Sequence, residues 1–182
     1  MGLPGYTINE LYKEKEGLLY YFLSTGTKQI IKIVDYTLLT DVKHDIIKTD
    51  KIFNFGFADL DENDETNDDV ISANGDTYKV LYTVLNSIPY FFEKYPNEAI
   101  AVTGSDSTKK YVEKCFNDCK RNCKKVDSCK NKDKRINVYL GYLNKNYEEL
   151  NKDYNFFGDT EESIEIYEKN KKYKKVFLTK KN

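Results

Sequence analysis

Three runs rich in aromatic and β-branched residues open the chain: Leu18 to Ser24, Gln29 to Leu39 and Lys51 to Phe57. Runs of this length and composition predict strands. Gly26 and Thr27 lie between the first two, at the place of a hairpin turn, and Ile31 and Ile33 alternate with Ile30 and Lys32 as in a half-buried strand. Asp41 to Asp50, which holds the single histidine, His44, reads as an exposed connection to the third strand. The economical arrangement is an antiparallel sheet.

The period then changes. Val80, Leu81, Val84, Leu85, Ile88, Phe91, Phe92 and Tyr95 recur every three or four residues, which predicts an amphipathic helix over 76–95. Asn74-Gly75-Asp76-Thr77 supplies turn and N-cap chemistry at its start, and Pro89 is expected to kink it or begin its last segment. Ala99 to Val102 reads as a short buried strand, followed by the turn Thr103-Gly104-Ser105-Asp106-Ser107 and a helix from Thr108 to about Lys125. A further helix is expected over Asn144 to Tyr154, and Ser163 to Tyr167 with Tyr173 to Leu178 predict a closing hairpin. The sum is a single α+β domain over residues 1–182. Its antiparallel N-terminal sheet packs against two or three helices, and a C-terminal hairpin closes it.

With 182 residues, 40% of them hydrophobic, the chain buries a core and does not belong among disordered proteins. A net charge of -1 removes any general attraction to polyanions, but charge is segregated along the sequence. Asp59 to Asp69 carries seven acids and no base, whereas Ser107 to Arg135 carries eleven Lys or Arg against four acids. The acidic run is not a calcium loop: counted from Asp59, glycine is replaced by Asp64 and the bidentate glutamate by Val70. Neither a secretion signal nor a membrane-spanning run is evident, so a cytoplasmic location is expected.

Candidate chemistry concentrates after the fourth strand. All four cysteines, Cys115, Cys119, Cys123 and Cys129, fall in one stretch with the spacing C-x3-C-x3-C-x5-C, and they are candidate zinc ligands. Reduced thiols and a disulfide are the alternatives. On one continuous helix Cys115 and Cys123 would stand roughly 12 Å apart, too far for one ion. Gly104 and Ser105, between a strand and a helix start, mark a place where amides and hydroxyls converge on an anion. Ser105, Ser107 and Thr108 would donate to a phosphate there, and Lys109 or Lys110 would neutralise it. The competing reading is that Ser105 or Asp106 caps the helix.

The ordered series Phe22-x-Ser24-x-Gly26, Ile30-x-Lys32, Phe53-Asn54-Phe55-Gly56-Phe57-Ala58-Asp59, Asp68-Asp69, Asn74-Gly75-Asp76, Val80-Leu81, Tyr95-Pro96 and Gly104-Ser105 resembles a family of small uncharacterised bacterial proteins with a domain of unknown function. The resemblance runs over most of residues 18–158. It implies that an arginine-led helix start with a nearby tyrosine follows the Gly-Ser turn. Here that block looks displaced to Arg135-Ile136-Asn137-Val138-Tyr139, with Lys109 the competing match, so 107–134 reads as a Cys/Lys-rich helical insertion.

The functional expectation is an accessory protein that binds a phosphate-bearing, nucleotide-like ligand or a partner protein, in a defence, anti-defence or toxin–antitoxin setting. Its candidate ligand residues are Asn74, Asp76, Gly104, Ser105, Ser107, Lys109, Arg135 and Tyr139. One alternative is an enzyme acting on a nucleotide or nucleic acid, with Asp59, Asp69 or Asp76 as acids. Another is nucleic-acid binding through the basic insert with Tyr111 and Phe116, which would weaken steeply with salt.

Overall fold

The computed structural model describes residues 5–11, 17–39, 44–61, 66–67, 74–117, 129 and 132–181. Two compact units divide the chain: residues 1–42 with 49–100, and residues 43–48 with 101–182. The architecture is α+β, as the alternation of periods predicts.

The first unit is built on an antiparallel meander of β1 (Asn9–Leu11), β2 (Gly17–Thr25), β3 (Gln29–Leu39) and β4 (Ile52–Leu60), with β5 (Thr66–Asn67) on the far end of β4. Two helices follow, α1 (Thr77–Leu85) and α2 (Ser87–Lys94). One face of β2 buries Leu18, Tyr20, Phe22 and Ser24, and the matching face of β3 buries Lys32, Val34 and Tyr36. α2 lays its aromatic side on this sheet: the Phe91 ring stacks on Tyr36 at 4.8 Å and meets Phe53 edge-on at 5.2 Å. Each such ring removes enough apolar surface from water to stabilise the fold by roughly 1.5–3 kcal/mol.

The single helix expected over 76–95 is broken at Asn86. Pro89 has no N–H to give the carbonyl four residues earlier, and it sits in the first turn of α2, where that loss is tolerated. Ser87 secures the break by donating to the Val84 carbonyl at 2.6 Å and standing 2.6 Å from the buried Tyr36 hydroxyl. Gly26 turns the β2–β3 hairpin against Asn74, whose carbonyl accepts from Thr27 N–H at 2.9 Å. A Cβ at Gly26 would lie 1.9 Å from that carbonyl oxygen, so no other residue fits without moving the backbone.

β6 (Ala99–Thr103) carries the chain into the second unit, where a 3-10 turn (Ser105–Ser107), α3 (Lys109–Asn117), α4 (Lys134–Asp153), β7 (Tyr154–Asp159), β8 (Ile164–Ile166) and β9 (Lys175–Lys180) follow. α4 begins ten residues before the Asn144 start read from the sequence. Ile136, Leu140 and Leu143 give it a buried stripe at i, i+4 and i+7, too sparse among the intervening polar residues to stand out. The closing strands also differ in pairing. The segments at 163–167 and 173–178 do not pair with each other; β7 lies between them, forming the hairpin with β8 and pairing β9 on its other edge. The strand between them, Tyr154–Asp159, begins at the last residue of the helix read from the sequence and was not itself read as a strand. His44 is half-buried rather than exposed, its ring 5.3 Å from that of Phe177. No helix among the described residues is long and apolar enough to cross a membrane.

Candidate functional site

Two polar clusters stand out, one in each unit. In the first unit the residues meet where the end of β2, the start of β3 and the start of α1 come together. Asn74, buried, donates from Nδ2 to Ser24 Oγ at 2.8 Å and to the Lys28 carbonyl at 2.9 Å, while its Oδ1 accepts from Lys28 N–H at 2.7 Å. Ser24 in turn donates to Asp76 Oδ2 at 2.6 Å, and the Tyr6 hydroxyl donates to the same oxygen at 2.7 Å. Tyr6 Oη accepts from Thr25 N–H at 3.1 Å, and Lys79 Nζ lies 3.9 Å from the centre of its ring.

Asp76 belongs to the segment Asn74–Thr77 that the sequence marks for turn and N-cap chemistry. It stands at the N-cap but makes no side-chain cap bond, because its carboxylate is turned to Ser24 and Tyr6. Burial alone would raise its pKa. The Ser24 and Tyr6 hydrogen bonds and the Lys32 charge outweigh that and hold it below the usual carboxylate range.

Lys32 is the unexpected member. It lies on the covered face of β3, 2% exposed, and its ammonium pairs with Asp59 directly across on β4. The register that puts Lys32 opposite Asp59 also puts it opposite Phe22 on β2, so the ion pair closes the end of an otherwise aromatic face. Asp59 therefore belongs to a strand and an ion pair, not to the acidic loop. Asp64 and Val70, the positions that rule out a calcium loop, lie outside the described residues, as does Asp69.

The second cluster gathers Gly104, Ser105, Ser107, Arg135 and Tyr139 in the second unit. Arg135, in the first turn of α4, donates from Nη1 to Ser105 Oγ at 2.7 Å, joining residues thirty apart in sequence. Among the described residues this is the one of its five side-chain donors with a partner, and no carboxylate pairs with the guanidinium there. Asp106 Oδ2 accepts the Arg135 backbone N–H at 2.9 Å, so this buried carboxylate satisfies one of the unpaired amides at the start of α4. Neither Ser105 nor Asp106 caps α3; Thr108 Oγ1 does, accepting from Tyr111 N–H at 3.3 Å.

Gly104 makes the close approach. A Cβ there would lie 2.6 Å from Asp106 Oδ1, 3.0 Å from Ile136 N and 3.2 Å from Ser107 Oγ. Asp106 Oδ1, Ser107 Oγ and Asp133 Oδ1 are buried and have no hydrogen-bond partner among the described residues. Asp133, held in the left-handed region at φ 59°, receives Lys174 Nζ on its other oxygen at 3.0 Å. Burial raises the Asp133 carboxyl, but the Lys174 ammonium lowers it further, below the ordinary range. Tyr139 lies one turn beyond Arg135, and burial pushes its phenol up, offset in part by the Arg135 charge.

The predicted ligand residues thus divide between the two clusters. Asn74 and Asp76 belong to the first; Gly104, Ser105, Ser107, Arg135 and Tyr139 belong to the second. Lys109 is exposed in the first turn of α3. Among the candidate metal ligands, Cys115 and Cys129 approach with Sγ atoms 3.7 Å apart, while Cys119 and Cys123 lie outside the described residues. Not marked as site residues by the sequence were Tyr6, Lys32, Asp133 and Lys174. Only Lys32 left a signal there, as a charge in phase with Ile30, Val34 and Tyr36.

No curated protein and no solved structure matches this chain significantly. A family model does match, over residues 4–115, and that span takes in the whole Tyr6–Ser24–Asp76 cluster, the Lys32–Asp59 pair and the Gly104–Ser105 turn, but stops short of Arg135 and Cys129. The match covers more than half of the chain, which therefore belongs to the family of unknown function DUF6934.

Proposed function

We propose that the protein is a cytoplasmic accessory protein that binds a phosphate-bearing small molecule through the second cluster, without turning it over. The observation that carries this reading is Arg135: its guanidinium is oriented by Ser105, and among the described residues no carboxylate neutralises it. A planar, permanently charged fork held at one corner is preorganised for two-point recognition of a phosphate. Ser105 Oγ accepts from Arg135 and keeps its own proton for the ligand. Lys109, exposed on the first turn of α3, is available to add charge.

Binding is favoured over catalysis because the two described acids of the enzyme reading are already engaged. Asp59 pairs with Lys32, and Asp76 accepts two hydrogen bonds that keep it ionised. Neither is placed as a general acid or base. A setting in bacterial defence, anti-defence or toxin–antitoxin systems belongs to the same proposal and rests on chain size and family type.

Calorimetric titration with inorganic phosphate, a nucleoside monophosphate and a nucleoside diphosphate tests the reading. Binding of at least one of these is expected, weakened about tenfold or more in Arg135→Ala, a loss of roughly 1.4 kcal/mol. It should weaken less in Ser105→Ala. Absence of binding to all three, or equal binding by both variants, would overturn the proposal.

A further inference from the structure

We infer that the contacts around Tyr6 form a peptide-binding socket in the first unit, selective for a Gly-Tyr sequence, which the chain's own Gly5 and Tyr6 occupy as a releasable strap. The socket does not depend on the anion site proposed above.

Each part of a tyrosine residue is recognised. The ring stacks on Phe22, with centroids 5.7 Å apart and planes inclined by 16°, and the Lys79 ammonium lies 3.9 Å from its centre. The hydroxyl is used both ways, donating to Asp76 Oδ2 at 2.7 Å and accepting from Thr25 N–H at 3.1 Å. The backbone N–H donates to Thr83 Oγ1 at 2.8 Å. Thr83 is buried and gives its own proton to the Lys79 carbonyl at 2.7 Å, which leaves its oxygen lone pairs for the amide. A free phenol makes the ring and hydroxyl contacts but not the amide contact, so the ligand is a tyrosine within a peptide.

The preceding position is also defined. A Cβ at Gly5 would lie 3.0 Å from Thr83 Oγ1 and 3.3 Å from Tyr82 Cδ1, crowding the oxygen that accepts the amide. Glycine fits there without displacement. In place of the tyrosine, phenylalanine would leave Thr25 N–H and one hydrogen bond to Asp76 unmade. Phosphotyrosine would set a second anion against the Asp76 carboxylate, so it is rejected.

Residues 5–8 form neither helix nor strand, and the strap is held by the Tyr6 contacts. Segments of this kind open at a free energy well below that of the core. When the strap leaves, Phe22, fully buried in the strapped state, and Asp76 become available to an incoming Gly-Tyr segment. Strap and peptide compete for one set of contacts, so the strap lowers the apparent affinity of the socket.

Calorimetric titration of full-length Tyr6→Ala with acetyl-Gly-Tyr-amide tests the inference. Binding is expected, about tenfold or more tighter than to the parent protein, and about tenfold or more tighter than acetyl-Gly-Phe-amide or the phosphotyrosine form. Because Tyr6→Ala can fail to fold, Tyr6→Phe is titrated as well. It keeps the ring but holds its strap less firmly, and should bind the dipeptide several-fold tighter than the parent does. In the parent, saturating dipeptide should speed hydrogen exchange of the Tyr6 amide. A parent dimer that the dipeptide disperses, and that Tyr6→Ala does not form, supports the socket with a second copy as the source of the Gly-Tyr segment; a monomeric parent that binds the dipeptide supports it with a different protein as the source. No binding to folded Tyr6→Ala, equal binding by parent and variants, equal affinity for the phenylalanine peptide, or unchanged exchange at Tyr6 overturns the inference. None of these readouts involves phosphate or Arg135, so failure here and failure of the anion site are read separately.

Discussion

The Ser24 hydroxyl donates to Asp76 Oδ2 at 2.6 Å, linking the end of strand β2 to the residue before helix α1 across fifty-two positions of sequence. The same oxygen accepts from Tyr6 at 2.7 Å, so one carboxylate holds three separate parts of the first unit. Hydrogen bonds to a charged acceptor contribute more than neutral ones, about 1.5–3 kcal/mol each.

Asp76→Ala is therefore expected to destabilise the protein by about 2–3 kcal/mol, and Ser24→Ala or Tyr6→Phe by about 1–2 kcal/mol. Urea denaturation of the three single variants and of Ser24→Ala/Tyr6→Phe measures this. The pair should be non-additive, since both donors serve one oxygen.

Lys32→Ala leaves Asp59 without its cation on a largely covered face and should cost about 3–5 kcal/mol, whereas Lys32→Met with Asp59→Leu should return close to the parent stability. Thermal unfolding of the single and double variants decides between these outcomes. Equal loss in both would mean that the ion pair itself, and not the stranded charge, dominates.

Stability should fall at both ends of the pH scale. The Asp76 and Asp133 carboxyls are held below their ordinary range, so their contribution is complete above it and disappears as pH falls through their folded values. Asp76→Asn should flatten the acid limb. Tyr20, Tyr167 and Tyr173 are pushed up to about 12, mainly by burial, so their contribution is complete below about 10 and is lost as pH rises toward 12. Denaturant unfolding at a series of pH values, with phenolate absorbance followed above pH 9, reads both limbs.

Asp106 separates a structural from an electrostatic role. Asp106→Ala removes the acceptor for the Arg135 N–H and should cost about 1 kcal/mol, while Asp106→Asn keeps an acceptor oxygen and should cost less. The Asn variant also removes a negative charge beside the proposed anion site and should bind phosphate more tightly. Calorimetry and thermal unfolding on the two variants check both statements.

Gly26→Ala should be among the most damaging single-methyl additions, because the new Cβ meets the Asn74 carbonyl and not a side chain that can swing away. Loss of more than about 1 kcal/mol is expected.

Period and turn chemistry in the sequence determine where β2, β3, β4, β6 and the helices at 77–94 lie, since the 2.0 and 3.6 repeats are local properties of the chain. They do not say which face of a strand is covered. Ile30 and Lys32 share a face of β3, and only the packing of the sheet decides that the lysine is the buried one. Nor does local pattern settle pairing: the segments at 163–167 and 173–178 read as a hairpin with each other, but each pairs instead with β7, whose two edges they occupy. The Gly104–Ser105 turn and Arg135 were legible as separate pieces, since each carries a local signature. The hydrogen bond between them, the turning of Asp76 from its own helix to Ser24 and Tyr6, and the approach of Cys115 to Cys129 were decided by tertiary structure alone. Contacts between residues far apart in sequence depend on how whole elements pack, and no residue spacing records that.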